Sequence, residues 1–132
     1  MSTFDETLRF KSPVSTLYGP GLRAFFRIAD IWNLSEAEQM NILGQSSRAT
    51  LANWRSGEFA SCNVDALERI SYVLGIYKGI HTIFAEHDMA DGWMRRPNKA
   101  PAFGGRTAIE RMTDGSVRDL EVVRQYIDSL CS

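Results

Sequence analysis

Three short signatures punctuate this chain: Ser35-x-x-Glu38, Thr107-x-x-Glu110 and Ser116-x-x-Asp119. Each sets a hydroxyl three residues ahead of a carboxylate. The hydroxyl accepts from the amide three residues on while the carboxylate reaches back to the capping amide, so two orphan donors of a helix start are satisfied together. A chain written in such starts is a string of helices, and its glycines supply the stops. Gly44 and Gly57 each follow a short patterned stretch, as left-handed C-terminal caps do, and Gly115 closes the segment that Thr107 opens. No segment alternates with the period of a half-buried strand. The sequence predicts an all-α fold.

Apolar spacing fills in the helices. Phe25, Phe26, Ile28, Ala29 and Trp32 form one stripe that starts near Leu22. The helix opened by Ser35 carries Ala37, Met40, Ile42 and Leu43 on its apolar side, and a second short helix runs from Ser46 or Ser47 through Leu51 and Trp54. Asn63 is placed to cap the longest helix, with Asp65 in its first turn where the macrodipole favours a carboxylate. Its stripe is Val64, Leu67, Ile70, Val73, Leu74, Tyr77, Ile80 and Phe84. Gly75 and Gly79 inside that pattern cost about 1 kcal/mol each against alanine, which predicts a kink or a close helix contact. Asp91-Gly92 breaks the pattern, and Trp93 to Gly105, with Pro97, Pro101, Gly104 and Gly105, reads as loop. The last helix buries Leu120, Val123, Tyr126, Ile127 and Leu130. Residues 1–21, without periodicity and ending in Tyr18-Gly19-Pro20-Gly21, read as an N-terminal arm.

Several function classes fall away. In 132 residues no apolar run approaches the roughly 20 that a membrane span needs. Met1 to Lys11 shows no signal-peptide pattern, and Cys62 and Cys131 suit free thiols in a cytoplasmic protein. His81 and His87, six apart, fall on different faces of a continuous helix and share no metal there. There is no glycine-rich phosphate loop, no nucleophile elbow and no paired carboxylates in a pocket setting, so no catalytic residue, cofactor or metal ligand is assigned and the chain is read as a non-enzyme. A formal net charge of −1 excludes bulk electrostatic binding of nucleic acid and makes any such role local. One local excess does exist: residues 95–111 hold Arg95, Arg96, Lys99, Arg106 and Arg111 against Glu110 alone.

The two short helices around Gly44-Gln45-Ser46 have the dimensions of a helix-turn-helix. Leu51 and Trp54 anchor the second helix inward, and Ser46, Ser47, Arg48, Thr50, Asn53 and Arg55 are the candidate DNA contacts. Hydroxyls and guanidinium groups suit phosphates, arginine matches guanine acceptors, and asparagine matches adenine.

The segments Thr50-Leu51-Ala52-Asn53-Trp54-Arg55-Ser56-Gly57 and Leu67-Glu68-Arg69-Ile70-Ser71-Tyr72-Val73-Leu74-Gly75-Ile76-Tyr77 resemble the Xre-like helix-turn-helix of the MbcA/ParS/Xre antitoxins. The later series Trp93, Pro97-Asn98, Phe103-Gly104-Gly105-Arg106-Thr107, Glu110, Met112 and Gly115 resembles their toxin-binding domain, and is the more specific match. The resemblance spans about residues 22–132. It implies an Xre-like helix-turn-helix bundle followed by a small C-terminal helical toxin-binding domain. It further implies a cytoplasmic antitoxin that blocks the active site of a co-encoded toxin and represses its own operon through operator DNA. The expected toxin is a RES-domain enzyme that degrades NAD, with an ADP-ribosyltransferase-like enzyme in related branches. Residues 22–90 are then the DNA-binding and dimerisation region of a homodimer, and 91–132 the toxin-binding domain. The alternative is a stand-alone Xre-like repressor whose C-terminal helices mediate dimerisation.

The toxin-binding series makes physical sense as a stiff plug. Pro97 fixes its own φ and extends Arg96, Asn98 can close an Asx-turn, and Gly104-Gly105 permits positive φ beside the Thr107 cap. Arg95, Arg96, Asn98, Lys99, Phe103 and Arg106 are the candidate toxin contacts, the basic ones because guanidinium pairs well with carboxylates lining a nucleotide site.

Overall fold

The computed structural model describes residues 12–131. Within them the chain forms seven helices and no strand: α1 Ser12–Ile31, α2 Glu36–Leu43, α3 Arg48–Arg55, α4 Val64–Ile83, α5 His87–Trp93, α6 Ala108–Met112 and α7 Val117–Cys131. The all-α expectation holds. All three signatures form their reciprocal bonds: Ser35 Oγ accepts from the Glu38 amide at 3.0 Å while Glu38 Oε1 accepts from the Ser35 amide at 2.8 Å, and Thr107 with Glu110 and Ser116 with Asp119 repeat the pattern. Ser47 caps α3 and Asn63 caps α4. Gly44 ends α2 at φ 68°.

Helix α4 is the centre of the molecule, with α1 on one side and α7 on another. Helix α7 runs alongside α4 in the same sense, from Gly115 beside Arg69 to Cys131 beside Gly79. Leu22, Phe25, Ile70, Val73, Ile76, Ile80, Leu120, Val123 and Ile127 are all essentially inaccessible, in one continuous core. The two glycines of α4 permit this approach, resolving the expectation in favour of a close contact. A Cβ at Gly79 would lie 2.5 Å from Ile127 Cγ2, and one at Gly75 would overlap the Arg124 guanidinium.

Four sequence expectations need correction. The stretch 12–21 is helical rather than an arm, and α1 passes through Pro20; residues 1–11 of that expected arm lie outside the described residues. Packing outweighs the breaker composition there, since the Gly21 backbone lies so near α4 that a Cβ would touch Ile70 Cγ2 at 3.5 Å. Ala37 is exposed. Gln39 is buried on α2 instead, donating to the Leu34 carbonyl and accepting from Arg55. Val64 and Leu130, placed in buried stripes, are 66% and 48% exposed; both stand at helix ends, where burial on α4 begins at Ala66 and on α7 ends at Ile127. Finally, Asp91-Gly92 lies inside α5, whose buried Ala90 packs against the core.

Candidate functional site

The helix-turn-helix is built as its sequence indicates. Leu51 and Trp54 are buried, and the Trp54 indole donates to Ser61 Oγ at 3.0 Å, pinning the loop after α3. That leaves Ser46, Arg48 and Asn53 exposed along one end and flank of α3, with Thr50 half-exposed. Arg48 reaches Glu36 at 3.2 Å across open surface, a contact that is easily exchanged for another anion. Arg55 differs from the other candidates. Its guanidinium stands 4.5 Å from the Phe26 ring centre, donates to Gln39 Oε1 and approaches Asp30 at 3.5 Å, so it also fastens α3 to α1 and α2.

The second surface is the turn-rich stretch between α5 and α6. The Asn98 side chain closes the expected Asx-turn, accepting from the Ala100 amide at 2.8 Å. Two backbone bonds, from the Asn98 amide to the Arg106 carbonyl and from the Gly105 amide to the Asn98 carbonyl, tie the loop's ends together. Gly104 and Gly105, at φ 60° and 91°, turn the chain between them. Beneath it Trp93, Phe103 and Tyr126 form an aromatic trio, Phe103 edge-on to both others with ring centres 5.0 to 6.0 Å away. The result is a braced ridge whose outer face carries Arg96, Pro97, Lys99, Pro101, Gly104 and Gly105.

The candidate toxin contacts therefore separate by environment. Arg96 and Lys99 are exposed and make no ion pair among the described residues. Arg106 is exposed but held bidentately by Asp114 at 2.6 and 3.0 Å; that contact keeps the Asp114 carboxyl below its ordinary value and raises the guanidinium. Phe103 is 2% exposed, which makes it the floor of the loop rather than part of its surface. Arg95 leaves the loop altogether, donating to the Trp32 and Asn33 carbonyls and to both oxygens of Glu38. Chiefly through that bond Glu38 is held below the ordinary carboxylate value, with burial opposing.

Arg95 is one of three polar ties that join the helix-turn-helix to the C-terminal helices, and sequence reasoning missed all three. Arg69 is buried on α4 and donates to the Ile42 carbonyl at the end of α2, to the Gly115 carbonyl ahead of α7, and to Asp65. The Trp32 indole donates to Asp91 Oδ1 at 3.1 Å, and the same oxygen meets His81 Nε2 at 2.7 Å. His81 and His87, separated by the continuous-helix reading, in fact meet Nδ1 to Nδ1 at 3.1 Å because α4 ends at Ile83. No sequence signal announces these ties beyond an arginine within an apolar stripe at Arg69. Among the described residues no three His, Cys, Asp or Glu side chains are grouped to hold a metal, and no helix is long and apolar enough to cross a membrane.

Comparison with known proteins accords with this geometry. Residues 19–75 match the antitoxin Xre-like helix-turn-helix domain, and residues 81–131 the antitoxin Xre/MbcA/ParS C-terminal toxin-binding domain. The chain is 41% identical over 108 residues to the uncharacterized protein y4oB of Sinorhizobium fredii (strain NBRC 101917 / NGR234), covering 82% of this chain and 81% of that one. No solved structure gives a significant match.

Proposed function

The chain belongs to the Xre/MbcA/ParS antitoxins, a helix-turn-helix joined to a toxin-binding domain, and from that premise we propose that it silences a RES-type, NAD-degrading toxin by plugging its active site with the 96–106 ridge. The carrying observation is the ridge itself: a loop closed on itself by backbone bonds, floored by Phe103, with Arg96 and Lys99 uncommitted on its outer face. A loop ordered before binding gives up little entropy on docking. Its cations suit a pocket that receives a phosphate-rich dinucleotide. In this reading residues 91–132 engage the toxin, and residues 22–90 form a homodimer that docks operator DNA through Ser46, Ser47, Arg48, Thr50, Asn53 and Arg55 and represses the operon. Two-fold pairing follows from the modest charge of a single copy, because two half-sites multiply a weak contact.

The test is co-expression with the adjacent reading frame, scoring growth, co-purification and cellular NAD. The wild-type chain should bind the neighbour and restore both growth and NAD, whereas the Arg96→Glu/Lys99→Glu double variant should fold normally yet fail to rescue. A neighbour that leaves NAD untouched, or full rescue by the double variant, would overturn the reading. ADP-ribosylated host protein in place of NAD collapse would reassign the toxin to the transferase-like class.

A further inference from the structure

At the C-terminal end of α3, a cleft of about 560 Å³ opens between that helix and α1. Three guanidinium groups line it, Arg23 and Arg27 from α1 and Arg55 from α3, with Asp30 as its carboxylate. Arg55 is already engaged by Asp30, Gln39 and Phe26. Arg23 and Arg27 are exposed and have no ion-pair partner among the described residues. The Arg23 guanidinium passes close to the Gly19 backbone and the Phe59 ring edge lies near the same point, 3.1 and 3.4 Å from where a Cβ on Gly19 would sit. The walls include Phe26, Phe59 and Trp54, and low-dielectric walls strengthen the field of cations at a cleft's mouth. Two uncommitted arginines held one helical turn apart, in a chain whose net charge is −1, need a reason.

We propose that this cleft receives a phosphate group, supplied by the backbone of the duplex that α3 reads. The inference rests on the DNA-binding reading above and adds Arg23 and Arg27, which lie on α1 ahead of the α2–α3 motif, to its contact set. Geometry favours that source. Helix α3 has eight residues, and with its side chains a helix is about 10–12 Å across, which the major groove, about 12 Å wide, admits. A helix set in the groove has a phosphate wall on either side, and the cleft borders α3 where Arg55, Ser56 and Gly57 leave it. Arg48 stands at one end of α3 and the arginine cleft at the other. Guanidinium forks match phosphate oxygens bidentately, and two forks one turn apart can share one phosphate or take neighbouring ones. A free phosphate compound has the same chemistry, and the experiment separates the two sources.

The full chain is titrated onto a mixed-sequence 30-base-pair duplex at several salt concentrations, and separately with inorganic pyrophosphate and ATP by calorimetry. Wild type is compared with Arg23→Gln/Arg27→Gln and with Lys78→Gln/Arg118→Gln, which removes equal charge from other exposed surfaces. Both pairs are exposed, so thermal melts should coincide with wild type; Arg55 is left alone because it holds α3 in place. The expected result is a plot of log affinity against log salt that becomes shallower for the α1 pair by about 0.9 where both forks share one phosphate and by about 1.8 where they take neighbouring ones, with little change for the control pair. Pyrophosphate or ATP binding that disappears in the α1 pair, without change on duplex, assigns the cleft to a free phosphate ligand and removes the backbone contact. Duplex binding of unchanged slope together with no arginine-dependent phosphate binding overturns the site. A wild-type chain that binds no duplex at any salt overturns the DNA-binding reading, and the pyrophosphate arm then decides the cleft alone.

Discussion

Gly75 and Gly79 sit one turn apart on the same face of α4, yet alanine at the two positions should move stability in opposite directions. Either substitution removes a helix-interior glycine, which is worth about 0.8–1.0 kcal/mol in propensity. What the new methyl meets decides the sign. At Gly79 it would lie 2.5 Å from Ile127 Cγ2, about 1 Å inside an ordinary carbon contact. Ile127 is fully buried and β-branched, so its χ1 has nowhere to turn. Overpacking of this kind costs about 1–3 kcal/mol, leaving Gly79→Ala about 1 kcal/mol less stable than wild type. At Gly75 the methyl overlaps the far end of Arg124, a half-exposed side chain that can swing into water. The cost is then its i,i+4 pair with Asp128, about 0.3–0.5 kcal/mol, so Gly75→Ala should be about 0.5 kcal/mol more stable. Urea titration of both variants should give midpoints on either side of wild type, with melting temperatures about 4–6 °C apart. Midpoints displaced to the same side would refute the packing argument, because propensity alone, or strain alone, would then govern both sites.

Arg69→Ala strands the Ile42 and Gly115 carbonyls in a buried setting and should cost about 2–4 kcal/mol, read as an earlier urea midpoint; a loss under about 1 kcal/mol would remove Arg69 as a tie between the two halves. Phe103→Ala should destabilise by about 3–5 kcal/mol, whereas Arg96→Glu/Lys99→Glu should leave the melting curve unchanged. The reverse ordering would return Phe103 to the surface of the ridge. Glu38, its carboxyl depressed by Arg95, favours folding when ionised. That stabilisation is complete above the ordinary value of 4.5 and is lost as pH falls through the lower folded value. Wild type should therefore lose stability relative to Glu38→Gln below about pH 4.5, and parallel acid curves for the two would deny the Arg95–Glu38 coupling.

Much of this fold was legible because its signals are local. Ser35 with Glu38, Thr107 with Glu110, Ser47 and Asn63 start helices through their own side chains, and Gly44 stops one because φ 68° favours glycine over nearly every side chain. Local signals failed where tertiary contact overrode them. Pro20 sits inside α1 because the turn around it packs on α4, and Gly92 sits inside α5. The site was half-legible for the same reason. Charge counting found Arg95, Arg96, Lys99 and Arg106 together, but their partners are remote in sequence: Arg95 turns to Glu38 and the end of α1, and Arg106 to Asp114. Among the described residues the basic run of five is thus two unpaired cations, Arg96 and Lys99, and three engaged ones, Arg111 being held by Asp119 and the Ala102 carbonyl.

That division bears on how the halves communicate. Helix α4 gives one face to α1 and another to α7, so the helix-turn-helix and the toxin-binding helices share a core rather than a linker. Arg69 and Arg95 stitch the same seam with hydrogen bonds to backbone carbonyls, which do not slide easily past one another. Among the described residues no linker separates the halves, so a swing of the DNA-binding helix on toxin engagement would have to break this seam. If the chain binds operator DNA as proposed, toxin is expected to influence that binding through what it covers or brings together: occluding the duplex, or tethering two antitoxins so that the second half-site is met at high effective concentration. Loosening the seam separates the alternatives. If Arg95→Gln weakens fold stability but leaves the effect of toxin on operator affinity intact, coupling is steric or by avidity; if the effect vanishes while both ligands still bind, the seam itself carries it and the two halves do not move as one body.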